Sequence, residues 1–244
     1  MKNNSTSNAV LIFAAIIACA ALMTAPAAAR AGQPEQASIA GRGYLLFGGR
    51  GLRLSELNGS LKKNGGYPGF TNPIFSYGAG GHVLINRLLI GGEGHALIEK
   101  NTAGRGRRAK LGGGYGVFNI GYVVYSEGGL DVYPFVGIGG GRIGLEIAGD
   151  QQASFEDIIA APGRMSKLAA YGFILTFNLG ADSLIRIGGG DGSGGGFVAG
   201  ARVGFAWSPA EAEWEMPGLK VSGGPGIGFP GFYFTLLVGG GGGR

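Results

Sequence analysis

Hydrophobic and polar positions alternate with a period of two in eight segments of the chain, which glycine-rich turns separate. Because successive side chains of a β-strand point to opposite faces, this alternation predicts β-strands. Helical periodicity is confined to one stretch, 155–170, which Pro162 and Gly163 interrupt. The predicted strands span residues 40–54, 73–85, 88–100, 110–126, 130–147, 169–180, 196–208 and 229–239.

The sixth and seventh segments show the alternation most clearly. From Tyr171 to Leu179 one face carries Tyr, Phe, Leu, Phe and Leu, and the other face carries Gly, Ile, Thr and Asn. From Phe197 to Trp207 one face is again apolar and aromatic, whereas the other is small or polar and includes Arg202. Aromatic residues near the ends of an apolar face are typical of strands that contact lipid.

The connections between the segments alternate in length. Two short turns, Asn86-Arg87 and Glu127-Gly128-Gly129, lie on one side. Long loops on one side and short turns on the other are typical of outer-membrane β-barrels. The connection between the sixth and seventh segments, about 15 residues long, departs from this pattern. The connections that we expect to face the exterior are 55–72, 101–109, 148–168 and 209–228.

The N-terminus has the pattern of a secretory signal peptide. An apolar run from Ala9 to Met23 is followed by Ala27-Ala28-Ala29, a small-residue cleavage site. We therefore expect a signal peptide over 1–29, a periplasmic segment over 30–39 and export from the cytoplasm. Cys19, after Ile16-Ile17-Ala18, offers the alternative of a lipoprotein box and a lipid anchor.

Composition narrows the class of protein further. The chain has 54 Gly in 244 residues, only 14% charged residues and a formal net charge of +5. So mild a positive balance gives no argument for nucleic acid as a partner. Glycine within the alternation suits a small closed barrel, whose crowded interior leaves little room beside bulky neighbours. The glycine run at the end predicts a low-complexity tail over 240–244.

The export signal, the eight alternating segments and the alternating connections resemble the small eight-stranded outer-membrane β-barrel family of Gram-negative bacteria. The resemblance covers residues 38–239 and implies an all-β fold, a closed antiparallel eight-stranded transmembrane β-barrel. It also implies a monomer in the outer membrane, with lipid as its partner. One departure concerns the end of the chain: the family usually ends in an aromatic residue, whereas this chain ends in five glycines and Arg244.

A tight turn at Asn86-Arg87 fixes the pairing of the second and third segments. Val83 then opposes Ile90 on the lipid side, and His82 opposes Gly91 on the inner side. The inner face of this hairpin also receives Glu93 and His95, with His82 diagonal to Glu93. The inward polar set that we predict is His82, Glu93, His95, Glu99, Arg142, Glu146 and Arg202, together with Arg42 and Arg50.

Three interpretations of this inward set are open. Small barrels fill their interiors with paired charged side chains, so a structural role is the plainer one. The alternative is lipid-modifying catalysis by a histidine with Ser76 as nucleophile, but the chain has no G-x-S-x-G motif. Two histidines and Glu93 are also a conceivable metal set, although their spacing matches no known motif. We assign no catalytic residue, metal or cofactor.

These observations predict a non-enzymatic integral outer-membrane barrel with a structural or surface-interaction role. Eight strands enclose a lumen that side chains fill, so at most a narrow solute path is expected. Aromatic residues of the long connections are candidates for contact with an extracellular ligand or surface: Tyr67, Phe70, Phe155 and Trp214. Two alternatives are a lipid-modifying enzyme on the same barrel and a soluble or lipid-anchored periplasmic barrel that binds an apolar ligand.

Overall fold

β-Structure dominates the computed structural model, which describes residues 38–149, 156, 159, 165–186, 195–210, 212–216 and 219–243. The expected signal peptide, residues 30–37 and Phe155 lie outside these residues. The strands are β1 Ile39–Arg50, β2 Ile74–Ile85, β3 Leu88–Gly104, β4 Arg107–Tyr122, β5 Tyr125–Glu127, β6 Leu130–Gly149, β7 Met165–Arg186, β8 Gly196–Trp207, β9 Glu213–Met216, β10 Leu219–Lys220 and β11 Gly231–Gly243. Helix α1, Ser55–Ser60, continues into a π-helical turn, Leu61–Gly65.

Eight of these strands form a closed ring in the order β1-β2-β3-β4-β6-β7-β8-β11. Every neighbouring pair is antiparallel, and β11 closes the ring against β1 from Arg50↔Tyr233 to Ala40↔Gly243. The predicted all-β, eight-stranded closed barrel is therefore confirmed. The predicted glycine tail is wrong for residues 240–243, which continue β11 and pair with β1.

Burial follows the predicted alternation around the ring. In β1, for example, Tyr44 and Leu46 are buried, whereas Leu45 and Phe47 are half exposed. The predicted pairs of the β2–β3 hairpin are also found, since Val83 lies opposite Ile90 and His82 opposite Gly91. Asn86 adopts the left-handed backbone conformation that this tight turn requires, with φ of 57°.

Strand lengths give the barrel two different rims. We call the rim with the short β2–β3 turn the turn end and the opposite rim the loop end. Strands β1, β2, β8 and β11 have 12 or 13 residues, whereas β3, β4, β6 and β7 have 16 to 22. The four long strands therefore rise beyond the others at the loop end as a curved sheet, which we call the wall. Strand β9 extends the wall by pairing with β7 at 169–171.

The prediction of a loop over residues 101–109 is wrong. Strands β3 and β4 continue through it as a hairpin whose turn is Arg105-Gly106, both with positive φ. A β-bulge between Leu97 and Lys100 shifts the register within this hairpin. The bulge lets β3 add one residue against β4 and bends the strand, which masked the alternation in the sequence.

The two longest described connections, 51–73 and 208–230, fold back over the barrel at the loop end. Their apolar side chains join the upper barrel interior in one core that includes Leu57, Phe70, Trp214 and Phe229. Asn58 fixes the fold of the first connection, because its side chain both donates to and accepts from the backbone of Phe70 at 2.8 Å. We call this layer the cap. Among the described residues, no helix has the length and hydropathy of a membrane span.

The cap corrects one prediction about the loop aromatics. Tyr67, Phe70 and Trp214 were expected to be available to partners, yet each is at most 5% exposed. Their rings pack inward because the loop end of an eight-stranded barrel presents an apolar opening that these rings cover. Of this group, Phe155 lies outside the described residues.

Candidate functional site

The barrel interior carries the densest group of polar side chains, and Arg202 lies at its centre. This guanidinium donates to Glu93 Oε2 at 2.5 Å through Nη1 and to the Tyr44 hydroxyl at 2.7 Å through Nη2. It also lies over the rings of Tyr44, at 4.6 Å from the centroid, and Phe135, at 5.0 Å. Because both charges of the ion pair are buried, the surrounding hydroxyl and rings are needed to offset their desolvation.

Glu93 and the two histidines take up the remaining space around Arg202. His95 Nε2 lies 3.3 Å from Glu93 Oε1, and the His95 ring stacks on Tyr115 with 4.5 Å between the ring centroids. The Tyr44 hydroxyl lies 3.3 Å from His82 Nδ1, and the His82 ring also meets the edge of Tyr133. The predicted placement of His82, Glu93, His95 and Arg202 inside the barrel thus agrees with the structure.

A second ionic layer lies toward the turn end. Arg42, on β1, forms ion pairs with Asp131 on β6 and Asp182 on β7. The Tyr133 hydroxyl donates to Asp182 Oδ2 at 2.5 Å and so joins this layer to the central one. Neither aspartate belongs to the predicted inward set. Asp182 keeps the inward parity of Asn178, but the predicted strand ended at 180, and Asp131 was never assigned to a face.

A third layer lies toward the loop end around Arg50. Its guanidinium is 4.2 Å from the ring centroid of Tyr115 and 5.2 Å from that of Phe229, and it donates to the Phe229 carbonyl at 3.2 Å. Beside it, the Tyr233 hydroxyl donates to the Asn178 side chain. Above this layer only the apolar cap follows. The interior is therefore filled from the turn end to the loop end.

Three of the predicted inward residues lie on the outer face instead, so their inward prediction is wrong. Glu99 reaches out to Lys110, with Nζ 2.6 Å from Oε2, because the β3 bulge reverses its side. Glu146 pairs with Lys167 at 3.1 Å, and Arg142 lies over the outward ring of Tyr171. Strand β6 runs without a bulge, so the parity that places Tyr133 inside places Arg142 and Glu146 outside.

The interior offers no assembled catalytic or metal centre within the described residues. His82 Nε2 and His95 Nδ1 have no hydrogen-bond partner, His95 Nε2 lies 3.3 Å from Glu93 Oε1, and His82 Nδ1 faces Tyr44. No hydrogen bond therefore joins the predicted nucleophile Ser76 to a histidine base. No group of three or more His, Cys, Asp or Glu side chains in these ranges is placed to hold a metal ion.

The solved structures that are similar to this chain share little sequence with it. No protein-family model and no curated protein matches it. Solved structures similar to it include Ail, the attachment invasion locus protein of Yersinia pestis (7% identity, 84% of this chain and 98% of that chain covered, TM-score 0.43). OprG of Pseudomonas aeruginosa matches at 10% identity, with 85% and 96% covered and a TM-score of 0.37. AlkL, solved in lipid bilayers, matches at 14%, with 91% and 97% covered and a TM-score of 0.36.

These three proteins are small outer-membrane β-barrels, the class that the sequence pattern resembles. Identities of 7–14% and TM-scores below 0.5 are too low to transfer what any of them binds or transports to this chain.

Proposed function

We propose that the protein is a non-enzymatic, membrane-spanning barrel of the outer membrane whose lumen is closed, and that it acts as an anchored structural or surface-presenting unit. The observation that carries this proposal is the apolar outer face. Large hydrophobic side chains are exposed there on every barrel strand, among them Phe47, Tyr77, Phe118, Ile138 and Phe234. So extended an apolar surface is costly in water and is stabilised in lipid.

The height of the apolar face fits a bilayer. On β6, apolar outward residues run from Leu130 to Ile138, and the first outward charge is Arg142. At about 3.3 Å per residue and a tilt of about 40°, the distance from Leu130 to Arg142 along the barrel axis is about 30 Å. That distance is close to the thickness of the hydrocarbon core.

The filled interior supports the closed state of the lumen. Arg42 pairs with Asp131 and Asp182, and Arg202 pairs with Glu93, whereas Arg50 contacts aromatic rings and the Phe229 carbonyl. The formal charge of these six charged residues sums to zero. An interior whose charges balance offers little excess field to attract ions of either sign. The cap adds an apolar layer at the loop end, so both water and ions lack a continuous path.

Three measurements test the proposal. Folded protein should migrate differently in SDS before and after boiling, and it should stay in the membrane pellet after alkaline carbonate extraction. In planar bilayers it should show no steady conductance. Release by carbonate would contradict the membrane-spanning proposal, whereas pellet retention with steady conductance would contradict only the closed lumen.

The enzymatic alternative has a different requirement. A lipid-modifying site must meet its substrate at the bilayer or the rim, yet His82 is 4% and His95 6% exposed. Incubating reconstituted protein with diphosphoryl lipid A and phospholipid, followed by mass analysis of the lipids, tests it. Any turnover that His82→Gln or His95→Gln removes while the gel shift remains would favour the enzyme over the structural barrel.

A further inference from the structure

Arg50 is a buried cation that forms no ion pair with a carboxylate of the described residues. It is 1% exposed and ends strand β1 at the loop end of the barrel, directly below the cap. The other two interior arginines do have such partners, since Arg42 pairs with two aspartates and Arg202 pairs with Glu93. A buried charge is strongly unfavourable unless it is paired and hydrogen-bonded. Arg50 therefore lacks what stabilises the charge of the other two.

The guanidinium of Arg50 uses one of its three nitrogens as a donor within the described part of the chain. Nη2 donates to the Phe229 carbonyl at 3.2 Å, whereas Nε and Nη1, both buried, have no hydrogen-bond partner there. The rings of Tyr115 and Phe229, with centroids at 4.2 Å and 5.2 Å, offset part of the charge through their π faces. A ring face is a weak acceptor, so two charged donors are left for an acceptor from outside the chain.

The carboxylates of the interior belong to other ion pairs. Glu93 contacts Arg202 and His95. The two aspartates pair with Arg42, which lies eight positions from Arg50 on β1. Eight positions correspond to about 20 Å along the barrel axis, at about 3.3 Å per residue and a tilt of about 40°. At such a distance the extra aspartate charge stabilises Arg50 only weakly, so the balance of the whole interior gives Arg50 no local countercharge.

Packing around Arg50 limits the size of a ligand. A Cβ on Gly141 would lie 2.5 Å from the Phe229 ring and 2.8 Å from Tyr115 Cβ, so the groups that contact the guanidinium are close together. The apolar cap covers them from the loop end. A ligand with an acyl chain or a ring would have to displace these side chains, whereas a single ion would not. Aromatic ring edges carry partial positive charge and are suitable neighbours for an anion.

We propose that Arg50 binds a monovalent anion of halide size, such as chloride, through Nε and Nη1. The anion accepts from the two donors that the described residues leave without an acceptor, and it neutralises the layer of charge at the loop end. It is thus a structural ion, which the cap separates from water. This inference concerns the interior only and does not depend on the membrane-spanning orientation.

The dependence of folding on bromide tests the site. Full-length protein in detergent and urea is equilibrated at constant ionic strength while sodium bromide replaces sodium gluconate, and the heat-dependent gel shift gives the folded fraction. An anion that binds only the folded state raises the folding equilibrium constant by the factor 1 + [L]/Kd, so between about 1 and 300 mM bromide this constant should rise about tenfold or more. A folding equilibrium that does not respond to bromide would overturn the proposal.

Two variants separate the site from general effects of salt. Arg50→Met removes the donors and should abolish the bromide dependence; the barrel should still close, because the variant leaves no charge unpaired at this position. The matched control Arg53→Met makes the same exchange at an exposed position of the same segment and should respond to bromide within about twofold of the unmodified protein. Retained dependence in Arg50→Met, or an equal loss in both variants, would contradict the site.

Diffraction at the bromide absorption edge locates the ion without any substitution, so a variant that fails to fold does not limit the test. Crystals of the unmodified protein grown in bromide should give an anomalous peak in contact with Nε or Nη1 of Arg50. Peaks confined to exposed cations such as Arg53 would mean an adventitious ion only and would overturn the proposal. Release of the protein from membranes by carbonate would contradict the spanning barrel and leave the anion site standing, so the two outcomes are distinguishable.

Discussion

Arg202 on β8 donates a hydrogen bond to Glu93 on β3, although the two residues are 109 positions apart in the chain. Strands β11, β1 and β2 lie between β8 and β3 around the ring, so this contact crosses the lumen and does not run along the sheet. The ion pair therefore joins opposite parts of the barrel wall, and its formation requires the ring to be closed.

Removal of one partner of this pair should be costly. Arg202→Met leaves the Glu93 carboxylate buried without its charged partner, and we expect a loss of about 3–5 kcal/mol in the free energy of unfolding. The double variant Arg202→Met/Glu93→Gln should recover most of that loss, because no charge is then left unpaired. Urea titration of the heat-dependent gel shift measures both. Additive losses in the double variant would contradict the coupling.

Two adjacent glycines of β6 should respond differently to the same substitution. A Cβ on Gly139 would lie 1.9 Å from the Gly116 carbonyl oxygen, a backbone atom that cannot yield, whereas a Cβ on Gly140 would come no closer than 3.4 Å to any atom. Gly139→Ala should prevent closure or lower the unfolding free energy by several kcal/mol. Gly140→Ala should be neutral or stabilising by about 0.5–1 kcal/mol. The folded fraction on an unboiled gel compares them, and equal fractions would contradict the close approach of β4 and β6.

The cap should open separately from the barrel. Asn58→Ala removes both hydrogen bonds to the Phe70 backbone, and we expect a local loss of about 1–3 kcal/mol. Limited proteolysis should then cut within 55–72 while the gel shift of the barrel persists. Lys62→Ala, at an exposed position of the same segment, is the control and should leave the cleavage rate unchanged. Loss of the gel shift in Asn58→Ala would show that cap and barrel unfold together.

The two tryptophans should report opposite environments. Trp207 is 37% exposed on the outer face of β8, whereas Trp214 is 3% exposed in the cap and donates to the Pro225 carbonyl at 2.8 Å. Lipid brominated near the headgroup end of its acyl chains should quench the fluorescence of the Trp214→Phe variant, which keeps Trp207. The Trp207→Phe variant should be quenched far less. Equal quenching would contradict either the orientation of the outer face or the closed cap.

Alternation of side chains predicted the strands and the inner residues of the β2–β3 hairpin, because a tight turn and a strict period of two leave one register. Alternation gives the wrong side for Glu99, because no distinctive residue in the sequence indicates the bulge in β3. Arg142 and Glu146 belong to the predicted inward set, although their parity matches that of Ile138, which is exposed. On β6, the alternation of hydrophobic residues predicts which side these two residues face better than their charge does.

The ion pairs of the interior were beyond sequence reasoning for a different reason. Arg42 and Asp182 lie on strands that do not neighbour each other, and their meeting depends on the number of strands and on their stagger around the ring. The cap is equally difficult to predict from the sequence. Phe70 belongs to a long connection and is predicted at the surface, but it packs in the core because the open end of the barrel presents an apolar surface to it.

The closing contact between β1 and β11 has a consequence for how the barrel opens. Five of its eleven register pairs, Gly239 to Gly243 against Tyr44 to Ala40, have no side chain on the β11 partner. Along this half of the seam, β11 contributes backbone hydrogen bonds but no cross-strand side-chain packing, and glycine-rich pairing specifies register only weakly. The register of the seam therefore depends on the side chains of Leu236, Leu237 and Val238. We therefore expect thermal opening to begin at the glycine half of the seam, at the turn end, and to reach the Arg42 ion pairs before it reaches Arg202.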